Sequence, residues 1–555
     1  MVQSVLYEPS ATYASVPCAP PATAECSPFA GVFVTISKEE HIRLKCEAAY
    51  WHGRHQQALR RESVLKEKIE TLEARVRDLV QRVFGRRSEK GTSDSEQQAA
   101  QTSHPRRPRG QQPNSTGHGR TSLAQLPVRE QPIELSAQAR CCPECGKALE
   151  ELAGSEDSEV VEIEVQAYRR RIQRRRYRPA CRCEALPGIV SAPAPARLIP
   201  KGRLGLSVWV EVILAKYLYA LPLNRLLQSW TTLGLKISSG TLIGGLRRLI
   251  PLLHPLLEAF QAKQLTEGYC HADETGWKVF ETIEGKVGHK WFLWVIRTSC
   301  AMVYVIAPGR GATVPVEYFS KLLVQTILVC DRYSAYKKFA RTIGVLLAFC
   351  WAHCRRDWLE LARSYPPLRE WAMGWVERIG TLYHLNRLRL EVRQDAVLFA
   401  RRDAELRAHV HQMRAQCERS LADVELHRAA RKVLQSLQRH WEGLTIFVER
   451  PDIRMDNNSA EAALRNEVLG RKAYYGSGSV WAAELAAQLF SVLMTLVHCW
   501  QINPRRWLQE YLQACADNGG RAPEELSAFL PWTMTPQRLR QLREPLACIV
   551  AANTS

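Results

Sequence analysis

Three carboxylates stand out by where they fall in the chain. Asp273 lies in or just after the first of several strand-like runs, GYCHADE at Gly268–Glu274; Asp331 directly follows the apolar run TILVC; Glu461 ends DNNSAE at Asp456–Glu461. Taken singly, an aspartate at a strand end starts a turn or caps a helix. As a set they can do more, because two strand-borne aspartates and a helix-borne glutamate can converge at one edge of a sheet and hold two hard cations. Such a pair, about 4 Å apart, activates a water or a 3′-hydroxyl and stabilises the leaving oxygen of a phosphodiester. Glu274 adjoins Asp273, but neighbours along a strand face opposite ways, so only one of the two is expected to enter a site.

A second constellation is built on sulfur. Cys142 and Cys145 form a C-x-x-C followed by Gly146, and Cys181 and Cys183 come after an acidic stretch and an arginine run from Arg169 to Arg178. The first knuckle suits tetrahedral zinc, its turn aiming two thiolates at one point while glycine relieves the backbone. Four idle thiols are the alternative, and Cys141 competes as a ligand. A module this small has little core without metal, so structural Zn2+ is expected on Cys142, Cys145, Cys181 and Cys183. Its surface arginines would meet phosphates. Cys350 and His353 form a C-x-x-H with Cys354 adjacent, which is either a second zinc pair or packed core.

Several kinds of element must position these groups. After an uninformative segment at 1–40, a charged helix is expected over 41–84, where Leu65, Ile69, Leu72, Val76, Leu79 and Val83 recur at alternating spacings of 4 and 3. That is a coiled-coil seam, or one face of a helix docked on the chain's own core. Residues 85–135 lack the apolar content to offset chain entropy and read as a flexible basic linker. The zinc module follows over 136–195. Residues 203–262 read as helical: one amphipathic helix from Leu206 to Ala220, a second from Leu223, a turn through Gly234, and a third helix capped by Ser238 or Ser239. That third helix carries Arg247 and Arg248, so the arrangement is a helix-turn-helix or a plain helical hairpin. The α/β region is expected over 263–500, interrupted by a helical block at about 356–452 that has no proline between Leu368 and Arg450, and a helical tail occupies 501–555. The fold class is thus multidomain, α plus α/β.

Composition sets limits on function. The 555 residues are 46% hydrophobic and 24% charged, the usage of a globular protein. Lys plus Arg number 76 against 56 Asp plus Glu, and the resulting +20 favours a polyanionic partner, nucleic acid first. Met1–Pro9 has no basic n-region and no short apolar run follows, so no signal peptide is read and a reducing cytoplasm with free thiols is expected. Leu485–Pro504 carries no formal charge, but Gln488, Ser491, Thr495, His498, Gln501 and Asn503 interrupt it. A buried core helix is expected there rather than a membrane span.

These motifs in this order resemble the insertion-sequence-66 family of bacterial DDE transposases. The matching stretches are FGRRSEK at Phe84–Lys90, CPECG at Cys142–Gly146, HADETGW at His271–Trp277, DRYSAY at Asp331–Tyr336, CWAHCRRDW at Cys350–Trp358 and DNNSAEAALRNEVLGRK at Asp456–Lys472. The resemblance implies an RNase H-like catalytic domain whose metal-binding triad is Asp273, Asp331 and Glu461, using two Mg2+ (or Mn2+) ions. It also implies that the helical block is an insertion between the last strand and the glutamate helix. One departure is the C-x-C pair, where the family more often has C-x-x-C, and this leaves the fourth zinc ligand open.

Other motif residues carry weaker expectations. Arg465, four residues after Glu461 on one helix face, is a salt-bridge partner or a phosphate guide. Arg471 and Lys472 are expected to touch DNA near the cleavage point, and Asn457 and Asn458 to cap the helix rather than bind metal. The implied partners are double-stranded DNA (terminal inverted repeats and target), further copies of the chain, and companion proteins of the same element, in a nucleoid-associated setting. The implied activity is cleavage and strand transfer. Its rivals are an inactive DNA-binding repressor and a nuclease that does not join.

Overall fold

The computed structural model describes residues 35–84, 165–177, 189–311 and 326–544, with the single positions 128, 136, 144 and 147. The chain divides into two compact units, Met1–Arg87 and Ser88–Ser555. In the first, one unbroken helix, α1, runs over Lys38–Phe84, with Glu39 and Glu40 in its first turn and Arg82 in its last, matching the helix dipole. The six seam residues from Leu65 to Val83 all lie on this helix and are 50–64% exposed.

In the second unit, the expected zinc ligands Cys142, Cys145, Cys181 and Cys183 lie outside the described residues. Nearby, β1 (Arg176–Tyr177) pairs antiparallel with β2 (Val190–Ser191), and the arginines from Arg169 to Arg176 are exposed. The expected helix from Leu206 is α2 (Leu206–Ile213), which loosens into a π-turn over Leu214–Leu218. Next come α3 (Leu223–Thr232), α4 (Ser239–Arg247) and α5 (Ile250–Leu265). Gly234 turns the chain between α3 and α4 at φ +78, a conformation that side chains resist. Ser238 caps α4 by accepting the Thr241 N–H. A Cβ on Gly245 would sit 1.9 Å from the Trp209 ring, so glycine is what lets α4 close on α2.

The α/β part is one five-stranded mixed sheet in the order β5-β4-β3-β6-β7. Strands β3 (Tyr269–Lys278), β4 (Lys290–Arg297) and β5 (Met302–Ala307) form an antiparallel meander, while β6 (Ile327–Cys330) and β7 (Leu346–Phe349) run parallel to β3. Helix α6 (Ser334–Ile343) connects β6 to β7 and ends at Gly344 in the left-handed region. The described residues are therefore mostly helical around one small mixed sheet, consistent with α plus α/β.

Beyond β7, α7 (Trp351–Ser364) leads to four helices: α8 (Arg369–Glu391), α9 (Ala396–Ala422), α10 (Arg428–Arg439) and α11 (Trp441–Glu449). The chain then returns through α12 (Asn458–Ala463), α13 (Arg465–Tyr474), α14 (Val480–Met494), α15 (Pro504–Asp517) and α16 (Pro536–Arg543). One sheet face packs Trp277, Leu293, Val295 and Val303 against Leu489, Phe490 and Leu493 of α14. The other packs Cys270, Ala272, Ile296 and Leu328 with Trp351, Trp358 and Trp375.

Val480–Cys499 is long and apolar enough to cross a membrane by length and composition. Its residues from Leu485 to Leu496 are nevertheless buried in the protein, apart from the half-buried Gln488. The polar residues that interrupt it have a structural use. Ser491 accepts the Tyr304 N–H at 2.8 Å, and Thr495 accepts from Met302 N at 2.8 Å and donates to Met302 O at 3.1 Å. These hydroxyls satisfy the free edge of β5, which would otherwise offer unpaired backbone groups.

Candidate active site

The parallel register of β3 and β6 places the first two carboxylates. Tyr269, Cys270 and His271 pair with Ile327, Leu328 and Val329. Extended two residues, that register sets Asp331 beside Asp273 across one strand spacing of about 4.8 Å, with both side chains on the same face. Asp273 is opposite Val295 of β4, so its strand is held from the other side. Asp331 leaves β6 in a tight turn, its Oδ1 accepting the Tyr333 N–H at 2.9 Å.

Glu461 arrives on α12, and one residue does most of the fastening. Asn457 is 1% exposed. Its Nδ2 donates to Ala272 O at 2.8 Å, its Oδ1 meets His271 Nδ1 at 3.0 Å, and its N–H donates to Cys350 Sγ at 3.2 Å. Arg297 adds a bond to Ser459 O at 2.8 Å. The expected capping role of Asn457 is therefore corrected. It stands at the N-cap position, yet its side chain makes no capping bond and joins α12 to β3 instead. Asp456 bonds locally in its place, accepting the Asn458 N–H at 3.1 Å.

An open cleft of about 510 Å³ is lined among others by Asp273, Glu274, Glu461, Arg356, Arg465 and Lys472, and the strand register sets Asp331 beside Asp273. Burial first, and then the charge of Glu274, push the Asp273 carboxyl up to about 7; Asp331 and Glu461 add to the rise, and the Glu274 N–H opposes it. Glu461 Oε1 is buried without a hydrogen bond, and the nearest basic atom is His353 Nε2 at 3.6 Å. Burial and the Arg356 charge hold His353 below its usual range, so this contact leaves the carboxylates uncompensated. Among the described residues Asp273, Asp331 and Glu461 form no ion pair with Lys or Arg, and carboxylate oxygens left in that state fit hard divalent cations.

Glu274 lines the same cleft, so both members of the pair reach it, against the expectation that only one would, but its carboxylate is already engaged. Arg310 clamps its carboxylate at 2.6 and 2.7 Å, Tyr336 donates to it at 2.7 Å, and the Arg310 guanidinium stacks 4.0 Å from the Tyr333 ring centre. Sequence reasoning missed this clamp because Arg310 lies in a loop with no motif of its own.

Two arginine expectations change. The helix breaks at Leu464, so Arg465 starts α13 and is no longer one turn from Glu461. No ion pair joins the two among the described residues; both line the cleft. Arg471 bonds Thr275 Oγ1 at 3.1 Å and the Gly276 carbonyl, so it binds β3 rather than reaching outward. Lys472 is exposed at the cleft, while Arg247 and Arg248 are exposed on α4, Arg247 over the Trp481 ring. Arg356 also reaches the cleft, from the CWAHCRRDW segment, although sequence reasoning gave it no role.

A family model described as "Transposase IS66 family" matches residues 201–485. Three proteins of Sinorhizobium fredii are similar along most of their length. Uncharacterized protein y4jD is 26% identical over 429 residues, 74% of this chain and 81% of its own. Uncharacterized protein y4hP is 26% identical over 434 residues, 72% and 74% of the two chains, and uncharacterized protein y4qI is 27% identical over 447, 75% and 77%.

Proposed function

The chain belongs to the IS66 family of transposases, and from that premise we propose that it cuts DNA at the ends of an insertion sequence and joins them to target DNA in one RNase H-like site. The observation that carries this reading is that Asp273 and Glu461 line one cleft while the β3–β6 register sets Asp331 beside Asp273, with both other carboxylates near enough to add to the rise that burial and Glu274 produce at Asp273. The strand order, an antiparallel meander followed by two parallel strands, supports the RNase H-like part.

In this reading the three carboxylates hold two Mg2+ or Mn2+ ions. When bound, such ions activate the attacking oxygen and stabilise the leaving one. The chain's own residues supply position and charge. Asp273 and Asp331 share a register level, so their oxygens stay side by side through rigid strands, and Asn457 holds Glu461 over them. Arg356, Arg465 and Lys472 give the cleft a cationic rim for the phosphodiester backbone. Water attacks first, and the freed 3′-hydroxyl then attacks target DNA in line, with no covalent protein intermediate.

End recognition falls to other parts: the basic arm and zinc module with Cys142, Cys145, Cys181 and Cys183, and the α3–α4 hairpin with Arg247 and Arg248. The exposed seam of α1 pairs with a second copy, and companion proteins of the element join the assembly. The test uses labelled DNA carrying the element's ends, with intact protein beside Asp331→Asn in Mg2+ or Mn2+. Nicks and joined product from the intact protein, both lost in a variant that still binds DNA, are expected. Nicks without joining would replace the reading with a plain nuclease. Binding without cutting by either protein, even with the companion proteins added, would leave a DNA-binding repressor.

A further inference from the structure

Beside the triad lies a second ligand set that shares only Glu461 with it. Cys350 ends the β7 segment, its N–H bonded to Cys330 O at 3.1 Å, and stands at the N-cap of α7; His353 follows on the first turn. The fold brings both to Glu461: one ligand atom from each of Cys350, His353 and Glu461 lies within 4.8 Å of the others. Two of the polar atoms here are buried with no hydrogen bond, His353 Nδ1 and Glu461 Oε1. Buried polar atoms left unpaired are costly, so two of them on residues this close call for a ligand. Cys350 Sγ already accepts the Asn457 N–H at 3.2 Å, the kind of outer bond that supports a metal-bound thiolate.

We propose that Cys350, His353 and Glu461 bind a borderline-soft divalent cation of the zinc class. The donor set decides the class: one thiolate, one imidazole and one carboxylate make a three-ligand zinc site with an open fourth position. Thiolate and imidazole select zinc over magnesium, whereas the all-carboxylate triad selects the reverse. Glu461 belongs to both sets. On the reading that Glu461 is a triad member, filling this site draws its Oε1 away from Asp273 and Asp331, so zinc opposes the hard cations.

The test is a Zn2+ titration of the full-length protein against a chromogenic chelator, in buffer containing Mg2+. Intact protein, Cys350→Ser, His353→Gln and Asp331→Asn are compared. Any zinc held by the cysteine module is common to all four and cancels in the difference. Intact protein and Asp331→Asn are expected to bind one ion more than Cys350→Ser or His353→Gln. Co2+ in place of Zn2+ should give a thiolate charge-transfer band that Cys350→Ser lacks relative to intact protein. His353→Gln, at a half-buried position, guards against loss of zinc through misfolding of the Cys350 variant; circular dichroism melts check both. Equal zinc counts and affinities in intact protein and both ligand variants would overturn the proposal. Cleavage that survives Asp331→Asn would overturn the triad while leaving the zinc count untouched, so the two failures are distinguishable.

Discussion

Acidic side chains meet opposite fates in two regions of the second unit. In the helical block, Asp403 lies between two arginines: Arg389 Nη1 at 2.7 Å and Arg407 Nε at 2.6 Å, with Arg407 also gripping Glu449 at 2.5 Å. Burial works to raise the Asp403 carboxyl, but the hydrogen bonds from Arg407 and Arg389 outweigh it and hold the group below its usual range. Arg389, fully buried, also donates to Asn386 Oδ1, Phe447 O and Val448 O, so one guanidinium ties α8 to α9 and α11. In the cleft, burial and like charges act together and Asp273 rises to about 7. The first arrangement is what stability selects. The second holds unfavourable charge in readiness for a ligand, which is how strain collects at functional sites.

The sharpest way to break this contrast is to neutralise one member of each cluster. Asp273→Asn should lower cleavage by roughly 10⁴-fold, as for a member of a catalytic unit. The same change should raise the melting temperature of metal-free protein, because it removes repulsion and no partner. Thermal denaturation without metal, beside the cleavage assay, reads both effects; a lower melting temperature would mean the carboxylates are not crowded in the folded chain. Arg389→Met should do the reverse. It strands Asp403 with one partner and takes the donor from Asn386 Oδ1 and Phe447 O, while Val448 O keeps Arg407, a loss of about 3–5 kcal/mol for breaking a buried pair. Urea unfolding followed by circular dichroism would measure it, and a loss below about 1 kcal/mol would place that network among ordinary surface pairs.

Much of this arrangement was legible before any coordinates. The apolar run TILVC became a strand within a residue of its expected start. Asp331 was readable because it follows such a run directly, and the proline-free block became four helices. What escaped depends on contacts across long stretches of chain. Nothing local marks the break at Leu464, since LRNEVLGRK has neither proline nor an early glycine, so Arg465 was placed on the wrong turn. Arg471 reaches β3, and Asn457 reaches Ala272, across nearly two hundred residues of chain. A cap and a staple use the same amide, and only the fold decides which it becomes.

Asn457→Ala tests that staple between the two regimes. It removes the bonds to Ala272 O and His271 and leaves a buried carbonyl and imidazole without them, at a cost of about 1–3 kcal/mol. Because α12 then loses its register on β3, cleavage should fall more than binding to end DNA; Asn457→Asp, which keeps the shape but not the amide donor, should recover only part. Equal losses in binding and cleavage, read by gel shift beside the cleavage assay, would reduce Asn457 to a general stability role.

The smallest expected effect comes from an acid that belongs to neither cluster. Glu467 of α13 is fully buried and both its carboxylate oxygens lack a hydrogen bond. The nearby Tyr304 hydroxyl donates to Ala463 O at 2.6 Å instead. Burial therefore dominates and raises the Glu467 carboxyl from 4.5 to about 8, against a smaller opposing pull from the backbone and Tyr304. A raised folded pKa means the native state keeps a proton that the unfolded chain has already released. The stability this contributes is complete below about 4.5 and is lost as pH climbs through about 8. Intact protein should thus lose more melting temperature between about pH 6 and 9 than Glu467→Gln, a difference on the order of 2–4 °C for each kcal/mol. Parallel melting curves for the two proteins across that window would mean Glu467 finds a partner on ionising.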